Sequence, residues 1–237
     1  MLNIVRSEDR GATQLDWLRS KHSFSFADYH DPQRISFGSL RVINEDWIDA
    51  GKGFGMHPHR DMEIITYMID GELSHSDSMG NGSVIRPGEL QRMSAGTGVL
   101  HSEFNTSDTD AAHLLQIWIL PEATGLEPGY EQKSFADDQR RNDWHLIGSR
   151  DGRDGSVTIH QDVSLFEARL EKSASIDADL AEARLGFLQV VDGSVAVGEE
   201  LLLAGDAAEI AGKSNISVRA EEDATLLLFD MGSKARR

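Results

Sequence analysis

Two short pairs carry the residue types that could do chemistry: His57 and His59 in GKGFGMHPHRDMEIITYMIDG, and His101 and Glu103 in GTGVLHSEFN. Side chains at i and i+2 of an extended strand share a face, so each pair can aim both of its donors into one cavity. A lone His-x-His is weak evidence for a ligand. Two such pairs on separate strands supply three imidazoles and one carboxylate, a compact donor set for a single metal ion. These groups lose their protons readily at neutral pH, so binding needs no unusual acidity. Without sulfur the set suits iron(II), manganese, nickel, copper or zinc, and ligand identity alone does not choose among them. On an octahedral metal about two positions would stay open, which fits binding of a substrate or dioxygen rather than a closed structural site.

The elements that must position these residues read as strands. Short apolar or alternating runs recur at Ile35 to Ile43, Glu63 to Ile69, Val84 to Arg86, Leu114 to Leu120, Phe187 to Val191 and Thr225 to Phe229, flanked by Gly, Asp and Asn. Helical segments are few: Ala12 to Ser20, and a short turn near Ala136 to Arg141. The stretch YMIDGEL followed by SVIRPGELQRM is echoed by QVVDGSV followed by LLLAGDAAEI. Asp70-Gly71 and Asp192-Gly193 read as matching hairpins, with Gly88 and Gly205 as matching second turns. Two similar β-domains follow, joined through the Gly-, Pro- and charge-rich stretch from Pro121 to Gly155. The expected division is 1–135 as a metal-binding domain and 136–237 as a domain without ligands.

Composition narrows the function classes. Forty acidic against 23 basic side chains give a net charge of -17, which repels nucleic-acid phosphates and anionic lipid. Direct nucleic-acid or membrane binding is not expected. The chain has no cysteine, which excludes thiolate nucleophiles, disulfides and iron–sulfur ligation. MLNIVRSEDRGATQ lacks an apolar signal core, and no apolar run approaches the roughly 18 residues that span a bilayer. A cytoplasmic monomer is the expectation.

The strings HPHRDMEIITY, DSMGNGSVIRPGELQRMSAGTGVLHSEFN and LQIWI, with HSFSFADYHDP before them, resemble the pirin branch of the cupin superfamily. Glu63 to Gly71 is one residue longer than the usual cupin spacing, and Ser94 or Gly96 stands where proline is common. The resemblance implies an all-β bicupin of two jelly-roll barrels, with few short helices and a metal, iron(II) foremost, in the N-terminal barrel. In cupins generally the carboxylate ligand corresponds to Glu63, and in pirins to Glu103. We favour Glu103, which shares a strand face with His101, and expect Glu63 to orient an imidazole or to act as a structural acid near the cavity. The resemblance further implies a quercetin 2,3-dioxygenase taking a flavonol and O2, with Glu103 as the base for the flavonol's 3-hydroxyl and a depside and carbon monoxide as products. The alternatives are an iron-binding regulatory protein acting through protein partners, and a dioxygenase with another substrate.

The repeat maps the ligand positions onto Asp179, Ala181, Val218 and Ala220 in the second half, and no histidine lies beyond His160. That half is expected to hold no metal and to be structural, or to close one side of the pocket. His22, His30, His75, His113, His145 and His160 are single histidines with structural or surface roles, and Trp118 and Phe104 are core aromatics or lining for a flat ligand. Lys234 to Arg237 reads as a frayed tail.

Overall fold

A computed structural model describes residues 2–135, 141–212 and 214–233. Strands dominate from end to end. The first half runs β1 (Leu2–Val5), β2 (Gly11–Gln14), β3 (Leu18–His22), β4 (Leu40–Ile48), β5 (Gly53–His59), β6 (Glu63–Asp70), β7 (Leu73–Asp77), β8 (Gly82–Ile85), β9 (Glu89–Ser94), β10 (Val99–Phe104), β11 (Ala112–Ile119) and β12 (Gly129–Ser134). The second half runs β13 (His145–Ser149), β14 (Val157–Thr158), β15 (Val163–Leu170), β16 (Ser175–Leu180), β17 (Arg184–Asp192), β18 (Ser194–Val197), β19 (Glu200–Leu203), β20 (Ala207–Ala211), β21 (Ser214–Ala220) and β22 (Ala224–Gly232). Among the described residues the helical content is two short turns, at Ser7–Asp9 and Arg153–Gly155.

Each half folds as a seven-stranded sheet facing a four-stranded one: β12-β9-β6-β11-β4-β3-β2 over β5-β10-β7-β8, and β1-β20-β17-β22-β15-β13-β14 over β16-β21-β18-β19. This is the all-β bicupin. The two large sheets also pack on each other, and Ile43, Ile65, Leu115 and Ile117 share one apolar core with Leu165, Phe187, Leu227 and Phe229. A strand of alternating side chains can serve both layers at once. On β11, Leu115 and Ile117 enter the shared core while Leu114 and Gln116 point into the barrel.

One edge strand crosses over. β1, at the start of the chain, pairs with β20 in the second half's sheet, and β12 pairs with β9 in the first. Arg10 strengthens the junction from a buried position, donating to Glu45 at 2.8 Å and to the Gly205 carbonyl at 3.1 Å. The expected division after residue 135 borders on 136–140, and the helical turn expected there lies outside the described residues, as does the tail from 234.

The repeated Asp-Gly turns are not hairpins. β6 lies in a large sheet and β7 in a small one, and β17 and β18 divide in the same way, so Gly71 and Gly193 turn the chain between layers. Both glycines have positive φ, +74° and +76°. A Cβ would sit 2.9 Å from the Ala111 oxygen at the first corner and 2.0 Å from the Asp223 oxygen at the second, so only glycine fits. Gly88 and Gly205, also at positive φ, turn the chain back.

Two further expectations are corrected. Ala12 to Ser20 is not a helix but parts of β2 and β3, which pair in antiparallel register. Ala12, Leu15 and Leu18 imitate a helical stripe, but the buried Leu18, Ser20 and His22 alternate with the more exposed Arg19 and Lys21, and that period of two wins. The strand expected from Ile35 begins only at Leu40, because Phe37 and Leu40 exchange backbone hydrogen bonds around Gly38.

Candidate metal centre

Strands β5 and β10 bring the histidines together. His57 lies directly opposite His101, and His59 opposite Val99, so the three rings converge on the inner face of the small sheet. A bulge adjoins the histidines. Between His57 and Phe54, β5 spends one residue more than β10 spends between His101 and Glu103, which bends the strand and re-aims its side chains. Ring centroids are 4.4 Å apart for His57 and His101, 4.8 Å for His57 and His59, and 4.8 Å for His59 and His101. The ligand atoms of these three residues all lie within 4.8 Å of one another.

The protonation states suit cation binding. His57 Nδ1 donates to the Gly55 carbonyl at 2.8 Å, which leaves Nε2 as the free donor atom. Burial, then the charges of His101 and His57, pushes the His59 imidazolium down to about 4. Burial, then His57 and His75, pushes His101 down to about 3. Both rings are therefore neutral at pH 7, with lone pairs available. His101 is 1% exposed, and neither of its ring nitrogens has a hydrogen-bond partner. An orphaned buried imidazole costs free energy that a bound metal would recover, so the residues present fit a divalent ion.

Glu103 stands on the same strand face, 3% exposed. Gln116 on β11 donates its amide to both carboxylate oxygens, at 3.1 and 2.9 Å, and Thr66 on β6 donates at 3.2 Å. These partners fix the carboxylate against the large sheet. Glu103 groups within 4.8 Å with His101 and His75 rather than with all three predicted histidines. His101 thus bridges two clusters.

His75 is more than the single structural histidine expected from the sequence. It is 1% exposed inside the barrel, its ring centroid 5.4 Å from that of His101. Gln91 donates to Nδ1 at 3.4 Å, and Nε2 donates to Asp77 at 3.1 Å. The i, i+2 relation of His75 and Asp77 on β7 was the sequence signal that could have found it. Glu63 points the other way. With Ile65 and Tyr67 it faces the second half, accepting from Ser94 at 2.9 Å and meeting His160 Nδ1 at 3.2 Å, so the imidazole it orients is not one of the three.

A cavity of about 350 Å³ opens over the cluster. Leu18, Phe26, Phe54 and Trp118 supply its apolar wall, with Trp118 edge-on to His59 at 4.9 Å. Phe104, the other aromatic considered from the sequence, lies outward on β10 at 39% exposed. Asp46 also lines the cavity, and burial, with help from the nearby Glu103 charge, pushes its carboxyl up to about 7 against the pull of a Ser20 hydrogen bond.

Comparison with known proteins places this architecture. A pirin family model matches residues 5–119, and a model of the quercetinase C-terminal cupin domain matches 146–231. Over 231 residues the chain is 45% identical to quercetin 2,3-dioxygenase of Escherichia coli strain K12, covering 98% of this chain and 99% of that one. It belongs to the pirin family. The crystal structure of YhhW from Escherichia coli superposes with a TM-score of 0.95 at 43% identity, covering 100% of each chain. The complex of that bacterial pirin with nickel(II) superposes at 0.93 with 44% identity, covering 98% of this chain and 99% of that one. A pirin with nickel and this donor set agree on a divalent metal.

Proposed function

We propose that this pirin is a metal-dependent dioxygenase that opens the central ring of quercetin or a related flavonol. The observation that carries the reading is the placement of three imidazoles and one carboxylate beneath a cavity with an apolar, partly aromatic wall. Similarity to quercetin 2,3-dioxygenase supports the same substrate class.

His57, His59, His101 and Glu103 are the residues we propose to hold the metal, with iron(II) as the native ion. When bound, such an ion supplies Lewis acidity and a one-electron partner for dioxygen. The remaining work falls to the chain. Trp118, Phe26 and Phe54 hold a flat aromatic ligand and keep water from it. Glu103, steadied by Gln116 and Thr66, accepts the proton of the flavonol's 3-hydroxyl at a carboxylate oxygen. Dioxygen cleavage then yields a depside and carbon monoxide.

The test is oxygen consumption with quercetin by anaerobically iron-loaded protein, with headspace carbon monoxide followed in parallel and nickel, manganese, copper and zinc as alternative metals. Turnover with carbon monoxide release, lost in His101→Ala and Glu103→Gln, is the expected result. Full metal occupancy without turnover would remove the quercetinase reading and favour the regulatory one.

A further inference from the structure

Across the cavity from the histidines, β3 and β4 present a second polar surface that the metal centre does not use. Ser20 pairs with Asp46 and His22 with Asn44 across the two strands. All four side chains are buried, at 2, 4, 2 and 3% exposure respectively, and all four line the cavity. Burying this many polar groups is costly unless hydrogen bonds satisfy them.

Most of the demand is met internally. Thr13 Oγ1 pairs with His22 Nε2 at 2.8 Å, and His22 Nδ1 pairs with Asn44 Oδ1 at 2.8 Å. Since the Asn44 oxygen only accepts, His22 Nδ1 carries the proton and Thr13 donates to Nε2. Ser20 donates to Asp46 Oδ1. Two groups are left over. Asn44 Nδ2, a donor, and Asp46 Oδ2, an acceptor when the carboxyl is ionised, take no hydrogen-bond partner among the described residues and belong to side chains that line the cavity. They sit at i and i+2 on one strand, hence on one face and beside each other.

Nothing in the fold demands polarity at these positions. In the second barrel β15 takes the place of β4. Gln116 pairs with Asn44 and Leu114 with Asp46 in the first barrel, and Leu228 pairs with Phe166 and Leu226 with Ala168 in the second. Hydrocarbon fills the same register there.

We propose that Asn44 and Asp46 form a recognition subsite for two adjacent hydroxyls on an aromatic ring. One hydroxyl donates to Asp46 Oδ2, and its neighbour accepts from Asn44 Nδ2. The ring packs against the wall formed by Phe26 and Trp118, which meet edge-on at 5.4 Å. The subsite deepens the flavonol reading by selecting substrates with a vicinal dihydroxy ring.

Anaerobic titration of metal-loaded protein with quercetin, which has that ring, and with galangin, which lacks both of those hydroxyls, tests it by visible absorbance. Wild type should bind quercetin about tenfold more tightly, as one or two buried hydrogen bonds to the substrate imply. In Asp46→Asn, nearly isosteric and still able to accept from Ser20, and in Asn44→Val, the ratio should fall to about one. A ratio unchanged in variants of native melting temperature and metal content overturns the subsite, because direct chelation of the metal would survive both substitutions. If neither variant folds, equal affinities in wild type overturn it. The oxygen assay separates the two readings: a selective cavity without turnover keeps the subsite and removes flavonol cleavage, and turnover with unaltered selectivity does the reverse.

Discussion

In the first barrel His101 and Glu103 on β10 face Asp77 and His75 on β7; at the same register in the second, Val218 and Ala220 on β21 face Val197 and Val195 on β18. The pairing of β5 with β10 and of β16 with β21 likewise sets Ile176 and Ala178 where the first barrel has His57 and His59. Sequence counting pointed instead to Asp179 and Ala181 for that last pair. The second half spends 17 residues from Ile176 to Gly193 where the first spends 14 from His57 to Gly71, so counting back by the first interval stops three residues short. One strand plan thus accommodates a polar interior and a hydrocarbon one. What both halves share is the core between the large sheets and the glycine corners. The scaffold is therefore held from outside the barrel, which leaves the first interior free to spend stability on unsatisfied polar groups.

Exchanging the fillings tests that division. The largest effect is expected from His101→Ala, which should weaken metal binding by more than about a hundredfold, beyond the loss typical of an outer hydrogen-bond partner. Its register counterpart Val218→Ala should leave metal stoichiometry unchanged, measured by chelator competition, and cost about 2 kcal/mol of stability. Leu228→Gln places an unpartnered amide in the apolar barrel and should cost about 3 kcal/mol in urea unfolding. The opposite change, Gln116→Leu, removes the donor to both Glu103 oxygens and should lower metal affinity about 10- to 100-fold.

Acid should act in part through the polar barrel. His59 and His101 have folded pKa values depressed below their unfolded value, so the unfolded chain binds protons first as pH falls. Their contribution is complete above about pH 6.5 and is lost progressively toward about pH 3. Denaturant midpoints of metal-free protein across this range should fall, because the two imidazoles outweigh Asp46, whose raised carboxyl acts with the opposite sign, and His101→Ala should flatten the slope. A slope unchanged in that variant would assign acid sensitivity elsewhere. The smallest effect belongs to Glu63→Gln, which should cost about 1–2 kcal/mol through its Ser94 and His160 contacts and leave metal content intact. Loss of metal would return Glu63 to the ligand set.

The shared faces of His57 with His59 and of His101 with Glu103 were legible because a two-residue spacing on a strand fixes them without knowledge of the fold. The repeat was legible because only glycine tolerates the corners. Whether Asp70-Gly71 closes a hairpin or crosses between layers was not, since the turn chemistry is local and the strand partner is not. Asp46 and Asn44 were missed for a related reason. In NEDW an acidic residue reads as surface, and only the position of β4 between β3 and β11 buries it. His75 needed β7 to be recognised as the strand facing β10.

The crossed-over edge strand bears on how the chain is made. Asn3 on β1 hydrogen-bonds Glu209 on β20, a separation of 206 residues. At roughly 5–20 residues per second, a ribosome needs about 10–40 s after making the first strand to make its partner. Through that interval Leu2–Val5 has no place in any sheet, while the first barrel can already assemble. Closure of the second sheet is then the step that captures the beginning of the molecule, and an early bystander becomes its last seam.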